Sequence, residues 1–318
     1  MNIAQYYKDI DILIRMQLGN LAEPFWQRAK VNRQTKPAQT VVYLGCNVLR
    51  TLHLAAQFVS IVKLIYDDVV VLGGPAHCCG FPHSVMLGHD QVGKRQGLAA
   101  VDTFRIFHPR RVILWCPSCV RQYNDRLNIN WQAEEYEVIH ASEFLALNAK
   151  LIPQLYPGTS RVVSVHEHVD DQRNRKNTAD VKNLLQQFEG ITVVEGGQMG
   201  DFGYHCGTNA EQPSQSFLRS IDASINSCET RIDTVVSVYH SCHRALAKAA
   251  KQQGIDCVNY VDIVAERAGL QVPDRFGHFL ELGNEDEIWA EVADYFSSKE
   301  EAAARRVIKE FFGQPVLV

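Results

Sequence analysis

The sequence has no apolar run able to cross a bilayer. Its longest, LAAQFVSIVKLIY, is interrupted by Gln57 and Lys63 and falls short of the roughly 20 residues a spanning helix requires. The opening stretch, MNIAQYYKDIDILIRMQLGN, threads acidic residues through its apolar pattern and lacks a signal-peptide core. These absences give the expectation of a cytoplasmic protein with no transmembrane segment. A basic surplus is missing too: 32 Lys and Arg stand against 36 Asp and Glu, the net charge is -4, and the basic residues are scattered. That argues against a nucleic-acid partner. No GxGxxG follows a strand pattern, no GxxxxGK precedes Ser or Thr, and no GxSxG occurs. Nucleotide-cradling loops and a serine nucleophile elbow are therefore unsupported, and any flavin or NAD would sit on another subunit.

What is present is an ordinary globular composition, 46% apolar and 21% charged over 318 residues, enough for two domains with their own cores. Short β-branched runs alternate with longer helical patterns, the signature of parallel sheets with crossover helices. The first half reads TVVYLG, a helix from about Val48 to Leu64, DVVVLGG, a helix from about Asp90 to Phe107, RRVILW, a helix after Pro117, YEVIH, and the helix ASEFLALNAK. The second half repeats the order: RVVSV, a helix from about Thr178 to Phe188, ITVVEGG, a helix from about Ser214 to Cys228, DTVVSVYH, a helix from Ser241 to Gln253, CVNYV, and DIVAERAG.

The expected fold is therefore α/β, with two pseudo-repeated Rossmann-like halves and flanking helices. Residues 1–36 form an N-terminal helical extension of one or two amphipathic helices carrying Tyr6, Tyr7, Phe25 and Trp26. Residues 37–152 form the first domain and 153–272 the second, joined through LIPQLYPGTS, and 273–318 a helical tail. Either extension could dock a partner helix or pack on its own domain.

Nine cysteines in a reducing compartment point to ligands or redox groups rather than bridges. In the first half Cys46 follows TVVYLG, Cys78 and Cys79 follow VVVLGG, and Cys116 and Cys119 follow RVILW, each just past the carboxyl end of a strand, where doubly wound sheets gather their sites. Adjacent cysteines make a poor disulfide, because closing that ring strains the bridge. Buried inert thiols, a structural zinc and an iron–sulfur site all remain open. Zinc takes four ligands and the common clusters take four thiolates, so either leaves a cysteine over.

Cys46, the CCG at Cys78 to Gly80, and the CPSC at Cys116 to Cys119 resemble the cysteine-rich CCG domain of the B-type subunits of heterodisulfide reductase and their relatives. These include the iron–sulfur subunits of glycolate, glycerol-3-phosphate and lactate oxidation. The likeness spans roughly residues 38 to 270. It implies one noncubane 4Fe-4S cluster bound by Cys46, Cys78, Cys79, Cys116 and Cys119. It also implies partners in a ferredoxin-like iron–sulfur subunit and a flavin-bearing subunit, and a thiol, disulfide or sulfur-carrier substrate.

The second half departs from that pattern. VSVHEH puts His166 where the first cysteine is expected, YHCG puts His205 before Cys206, and VYHSCHR puts Tyr239 and Cys242 at the two ends of the CxxC spacing. His166, His168, His205, Cys206, His240, Cys242 and His243 fall in three loops expected to converge. They could hold zinc or another metal, supply Cys206 and Cys242 as reactive thiols with His205 beside them, or be vestigial. The favoured expectation is a substrate-facing pocket positioned by His166, His205 and Tyr239, with Cys206, Cys242 and His205 catalytic. One intact and one degenerate motif point towards the sulfur-oxidising type of complex. The alternatives are a pure electron-transfer subunit of flavin-dependent 2-hydroxy-acid or glycerol-phosphate oxidation, and a zinc scaffold without redox activity. Cys228 and Cys257 read as packing residues. His77, His83 and His89, flanking the CCG loop, read as surface residues or as groups that hydrogen-bond the ligand sulfurs.

Overall fold

The computed structural model describes residues 2–19, 25–27, 31, 35–166, 172–195, 230–252 and 254–313. The chain divides into two compact units, one of residues 1–141 with 286–308, the other of residues 142–285 with 309–318.

The first unit opens with helix α1 (Ile3–Leu18), whose first turn is capped by the Asn2 side chain accepting from the Gln5 N–H at 2.9 Å. Then follow β1 (Thr40–Gly45), α2 (Leu52–Ile65), β2 (Val69–Gly73), α3 (Asp90–Ile106), β3 (Arg111–Leu114), the short α4 (Pro117–Arg121) and β4 (Glu137–His140). The four strands are parallel in the order β2-β1-β3-β4. Every residue of β1 is buried, as expected of a continuous β-branched run covered on both faces. The chain steps from β1 out to β2, then returns past β1 to β3 and β4. The reversal falls between β1 and β3, the switch point where the carboxyl ends of an open sheet leave a crevice. Beneath it Tyr43, Phe104 and Tyr123 pack ring against ring, with centroids 5.0 to 6.1 Å apart.

Helix α1 packs on its own unit. Its buried side includes Ile10, Leu13, Ile14 and Met16. Gln17 accepts from the Leu52 N–H at 2.9 Å and donates to the Arg50 carbonyl at 3.0 Å, satisfying an otherwise orphaned amide at the start of α2. Arg15 pairs with Glu300 at 2.6 Å and Asp9 with Arg306, tying α1 to the tail helix Glu301–Phe312 and the turn before it. Residues 25–27 form a bend and an isolated β-bridge rather than a helix: the Gln27 N–H reaches the Val71 carbonyl at 2.8 Å, and buried Trp26 lies against Gly73. The tail is broken as well, with Glu285–Val292 and Glu301–Phe312 separated by a 3-10 turn and a bend.

The second unit contains α5 (Ala141–Asn148) from Ser142 onward, β5 (Arg161–His166), α6 (Gln172–Leu185), β6 (Ile191–Val194), β7 (Thr234–Ser237), α7 (His240–Gln252), β8 (Asp256–Asn259) and α8 (Tyr260–Ala268). Its sheet is again parallel, in the order β6-β5-β7-β8, so the two halves share one topology. Helix α8 starts in a capping box of Asn259 and Asp262 and ends at Gly269 in the left-handed region. Glu266 on α8 binds Arg161 at 2.6 Å and the Thr159 hydroxyl at 2.8 Å, fixing the segment that leads into β5.

Helix α6 begins six residues before the expected Thr178. The added stretch, QRNRKN, carries two weak helix formers, Asn174 and Asn177. Its asparagines have a tertiary reason to be there, because Asn174 accepts from the Tyr239 hydroxyl at 2.5 Å and Asn177 donates to it at 2.9 Å. The helix expected from Ser214 to Cys228 lies outside the described residues.

Candidate metal centre

The five cysteines of the first half sit at the carboxyl ends of β1, β2 and β3. Cys46 follows β1 directly, Cys78 and Cys79 come off β2 through a 3-10 turn at Pro75–His77, and Cys116 caps α4, on which Cys119 lies one turn along. All five are at most 3% exposed. The Cys46 and Cys78 sulfurs are 3.4 Å apart, and hydrogen-bond contacts continue from Cys78 to Cys79, from Cys79 to Cys119 and from Cys119 to Cys116. Three loops thus deliver one unbroken chain of sulfurs.

Two glycines make that approach possible. Gly45 has φ +62°, and a Cβ there would lie 2.9 Å from the Cys119 sulfur. Gly80, the glycine of CCG, has φ +84°, and a Cβ there would meet the Gly93 carbonyl oxygen at 2.1 Å. Only glycine lets the backbone turn and α3 pass so close.

The electrostatics are those of a site short of positive charge. The hydrogen bond with Cys78 and burial hold the Cys46 thiol protonated well above its ordinary range, and burial does the same for Cys79. Cys119 is pushed up by its contacts with Cys116 and Cys79, then by burial. Cys78 goes down, because Cys46, Cys79, Tyr7 and the Gly80 N–H all stabilise its thiolate. Several buried thiolates cannot coexist without a cation between them. The donor set is all sulfur, which suits zinc or iron–sulfur centres, and it exceeds the four ligands of a tetrahedral structural zinc. The residues therefore fit a multinuclear thiophilic centre.

Side chains that the sequence did not mark as part of the site close over it. The Tyr6 hydroxyl lies 3.9 Å from the Cys46 sulfur. The Tyr7 hydroxyl hydrogen-bonds Cys78 and is itself held by Gln96, whose Nε2 approaches to 3.3 Å. Burial pushes both phenols far up, so they stay protonated and able to donate. The only hint in the sequence was the Tyr-Tyr pair in the first turn of an amphipathic helix. His77 is buried rather than at the surface, and its carbonyl accepts from the Tyr43 hydroxyl at 2.6 Å. His83 is half-buried, with its ring 6.2 Å from that of Tyr7, and His89 is exposed.

In the second unit, His166, Tyr239, His240, Cys242 and His243 lie at the carboxyl ends of β5 and β7 and are all buried. The register refines one assignment. His166 is level with Ser237 on β7, as Tyr43 is level with Leu114 on β3. It therefore stands at the place of Tyr43, and the residues that follow it, 167–171, lie outside the described residues. The Tyr239 hydroxyl is engaged by Asn174 and Asn177. His240 Nδ1 is 3.4 Å from Arg244, and His243 lies between the Cys257 sulfur, at 3.9 Å, and Asp274, at 3.8 Å. Burial raises the Cys257 thiol, with Asp262 adding to the effect. His168, His205, Cys206 and Cys228 lie outside the described residues.

Residues 40–123, the segment that carries all five first-half cysteines, match the family described as CCG, a cysteine-rich domain, which supports a role in metal or iron–sulfur binding. No curated protein matches the chain. Among solved structures, glutamate racemase isoform RacE1 from Bacillus anthracis is similar at 14% identity over 72% of this chain and 79% of that one, with a TM-score of 0.35. Glutamate racemase from Campylobacter jejuni subsp. jejuni is similar at 13% identity over 73% and 84%, with a TM-score of 0.34. No helix among the described residues is long and apolar enough to cross a membrane.

Proposed function

We propose that Cys46, Cys78, Cys79, Cys116 and Cys119 hold one iron–sulfur cluster of the noncubane 4Fe-4S kind, and that the chain is an oxidoreductase subunit of a heterodisulfide reductase-like complex, of the sulfur-oxidising type. The observation that carries this reading is the unbroken chain of five buried sulfurs at the switch point of the first sheet. When bound, such a cluster supplies one-electron chemistry and an iron that sulfur ligands can approach. The protein's part is to gather the thiolates, to exclude water by burying them, and to direct the Tyr6 and Tyr7 hydroxyls and the Gly80 N–H at the sulfurs. Hydrogen bonds of that kind stabilise the more negative state and raise a centre's potential.

The substrate in this reading is a thiol, a disulfide or a sulfur carrier. The electron partners are a ferredoxin-like iron–sulfur subunit and a flavin-bearing subunit, in the cytoplasm. Cys242 on α7, with Cys206 and His205, would serve the sulfur substrate from the second half, whether or not zinc also binds there.

The test is iron, acid-labile sulfide and zinc content with EPR, on anaerobically prepared protein beside a Cys78→Ser, Cys79→Ser variant. About four irons per chain, lost in the variant, are expected for one cluster of this class. Zinc without iron after anaerobic reconstitution would replace the redox reading with that of a zinc scaffold.

A further inference from the structure

A cavity of about 110 Å3 opens at the N-terminal end of α1, lined by Asn2, Ile3, Tyr6, Pro82, Met86 and Leu87. Four of these six side chains are apolar and none is charged. The Asn2 side-chain oxygen is committed to capping α1 through the Gln5 N–H. Tyr6 is the wall this cavity shares with the cysteines, because its hydroxyl is 3.9 Å from the Cys46 sulfur. The opposite wall, Pro82–Met86, is a single π-helical turn directly after CCG. Wide turns of this kind are uncommon and recur at functional sites. Val85 and Met86, on that turn, are 48% and 50% exposed. An apolar rim therefore leads into an apolar hole whose inner wall touches a ligand sulfur.

We infer that this cavity is the entry site for the sulfur substrate of the proposed reaction, receiving a small, uncharged, apolar end of a thiol or disulfide, with Tyr6 as the partition between that end and Cys46. The inference rests on the functional reading above and adds the place and chemistry of substrate recognition. The size fits a short alkyl group. An engineered cavity of about 150 Å3 holds benzene, so one of about 110 Å3 takes roughly four or five carbon atoms. The Met86 thioether, flexible and polarisable, suits a sulfur-bearing guest. A charged head group finds no partner in the lining and would have to remain outside.

The test uses diethyl disulfide, titrated into the anaerobically prepared full chain with methyl-labelled methionine and isoleucine. The Met86 and Ile3 methyl signals are expected to shift and saturate, while Met16, buried further along α1, stays fixed. Ile3→Trp fills the cavity from α1 and Leu87→Trp fills it from the opposite wall. Each should weaken binding at least tenfold with the circular dichroism unchanged, and if one variant misfolds the other decides. No saturable shift at Met86, or parental affinity in a folded tryptophan variant, would overturn the inference. Iron content is read on the same samples and answers a separate question: iron without disulfide binding removes only the entry site, and disulfide binding without iron removes only the cluster.

Discussion

The sulfurs of Cys46 and Cys78 lie 3.4 Å apart although they belong to loops after different strands of the first sheet. What brings them together is register. β1 and β2 run side by side from Thr40 opposite Val69, and the Gly74 N–H donates to the Gly45 carbonyl at 2.8 Å, so both loops leave the sheet at one level.

That closeness predicts the chemistry of metal-free protein. The two sulfurs need to move only about 1.4 Å closer to reach the bonding distance of about 2.05 Å, whereas Cys78 and Cys79, being neighbours in sequence, would have to close a strained ring. Treated with diamide, which takes up the two electrons and two protons that a thiol pair releases, the apoprotein should form a Cys46–Cys78 disulfide, detected by non-reducing peptide mass mapping. Bound metal should block it. A Cys78–Cys79 bridge as the main product would show that the loops are not held as described.

Gly80, the residue of the CCG triplet that is not a sulfur donor, should resist replacement. Its φ of +84° and the 2.1 Å approach of a virtual Cβ to the Gly93 carbonyl oxygen act together. Strain in the left-handed region costs about 1–3 kcal/mol, and overpacking adds a similar amount. Gly80→Ala should therefore lose roughly 2–6 kcal/mol in urea unfolding and fail to retain metal. Gly88, also at positive φ but with nothing within 4 Å of its virtual Cβ, should lose only the backbone share on Gly88→Ala.

Much of this arrangement was legible in the residues alone. VVYLG, VVVLG and RVIL are β-branched runs too short for helices, and each cysteine group follows one of them, so convergence at the strand ends came from order and spacing. The contribution of Tyr6 and Tyr7 was not legible, because periodicity shows that a helix has a buried face without showing what it faces. The early start of α6 was hidden for a related reason: Asn174 and Asn177 are poor helix formers, and the partner that rewards them, Tyr239, is 62 or more residues away in the chain. That His166 stands level with Tyr43 was not legible either, because counting along the strand motif ignores register, which pairing with β7 fixes.

Tyr239 yields a prediction that separates structure from chemistry in the second unit. Its hydroxyl donates to Asn174 and accepts from Asn177 next to a buried ring. Tyr239→Phe removes both hydrogen bonds and should cost about 1–3 kcal/mol. The metal content of the five first-half cysteines should not change. Wild-type stability in Tyr239→Phe, measured by urea unfolding, would mean that the network contributes nothing to the fold and would leave the hydroxyl for another role.

The pairing of Arg15 with Glu300 makes the roof of the cysteine site testable through pH. The Arg15 guanidinium, followed by the Ser297 hydroxyl and N–H, lowers the Glu300 carboxyl from an ordinary 4.5 to about 2. The folded state therefore binds this proton less readily than the unfolded state does. The stabilisation is complete above about pH 4.5 and is lost as the pH falls through 2. The pair is accessible to solvent, so the effect should be small and should shrink further in high salt. A carbon-detected NMR titration should place the Glu300 midpoint near 2 in the parent, and Arg15→Gln should return it towards the ordinary carboxyl value. The result bears on function because α1 carries Tyr6 and Tyr7 over the sulfurs, and Arg15, with Asp9, ties it to the chain around Glu300 and Arg306. A parent midpoint already near 4.5 would mean that this tie is not made in solution, and that α1 is held over the cysteines by the Asp9–Arg306 pair and its apolar face.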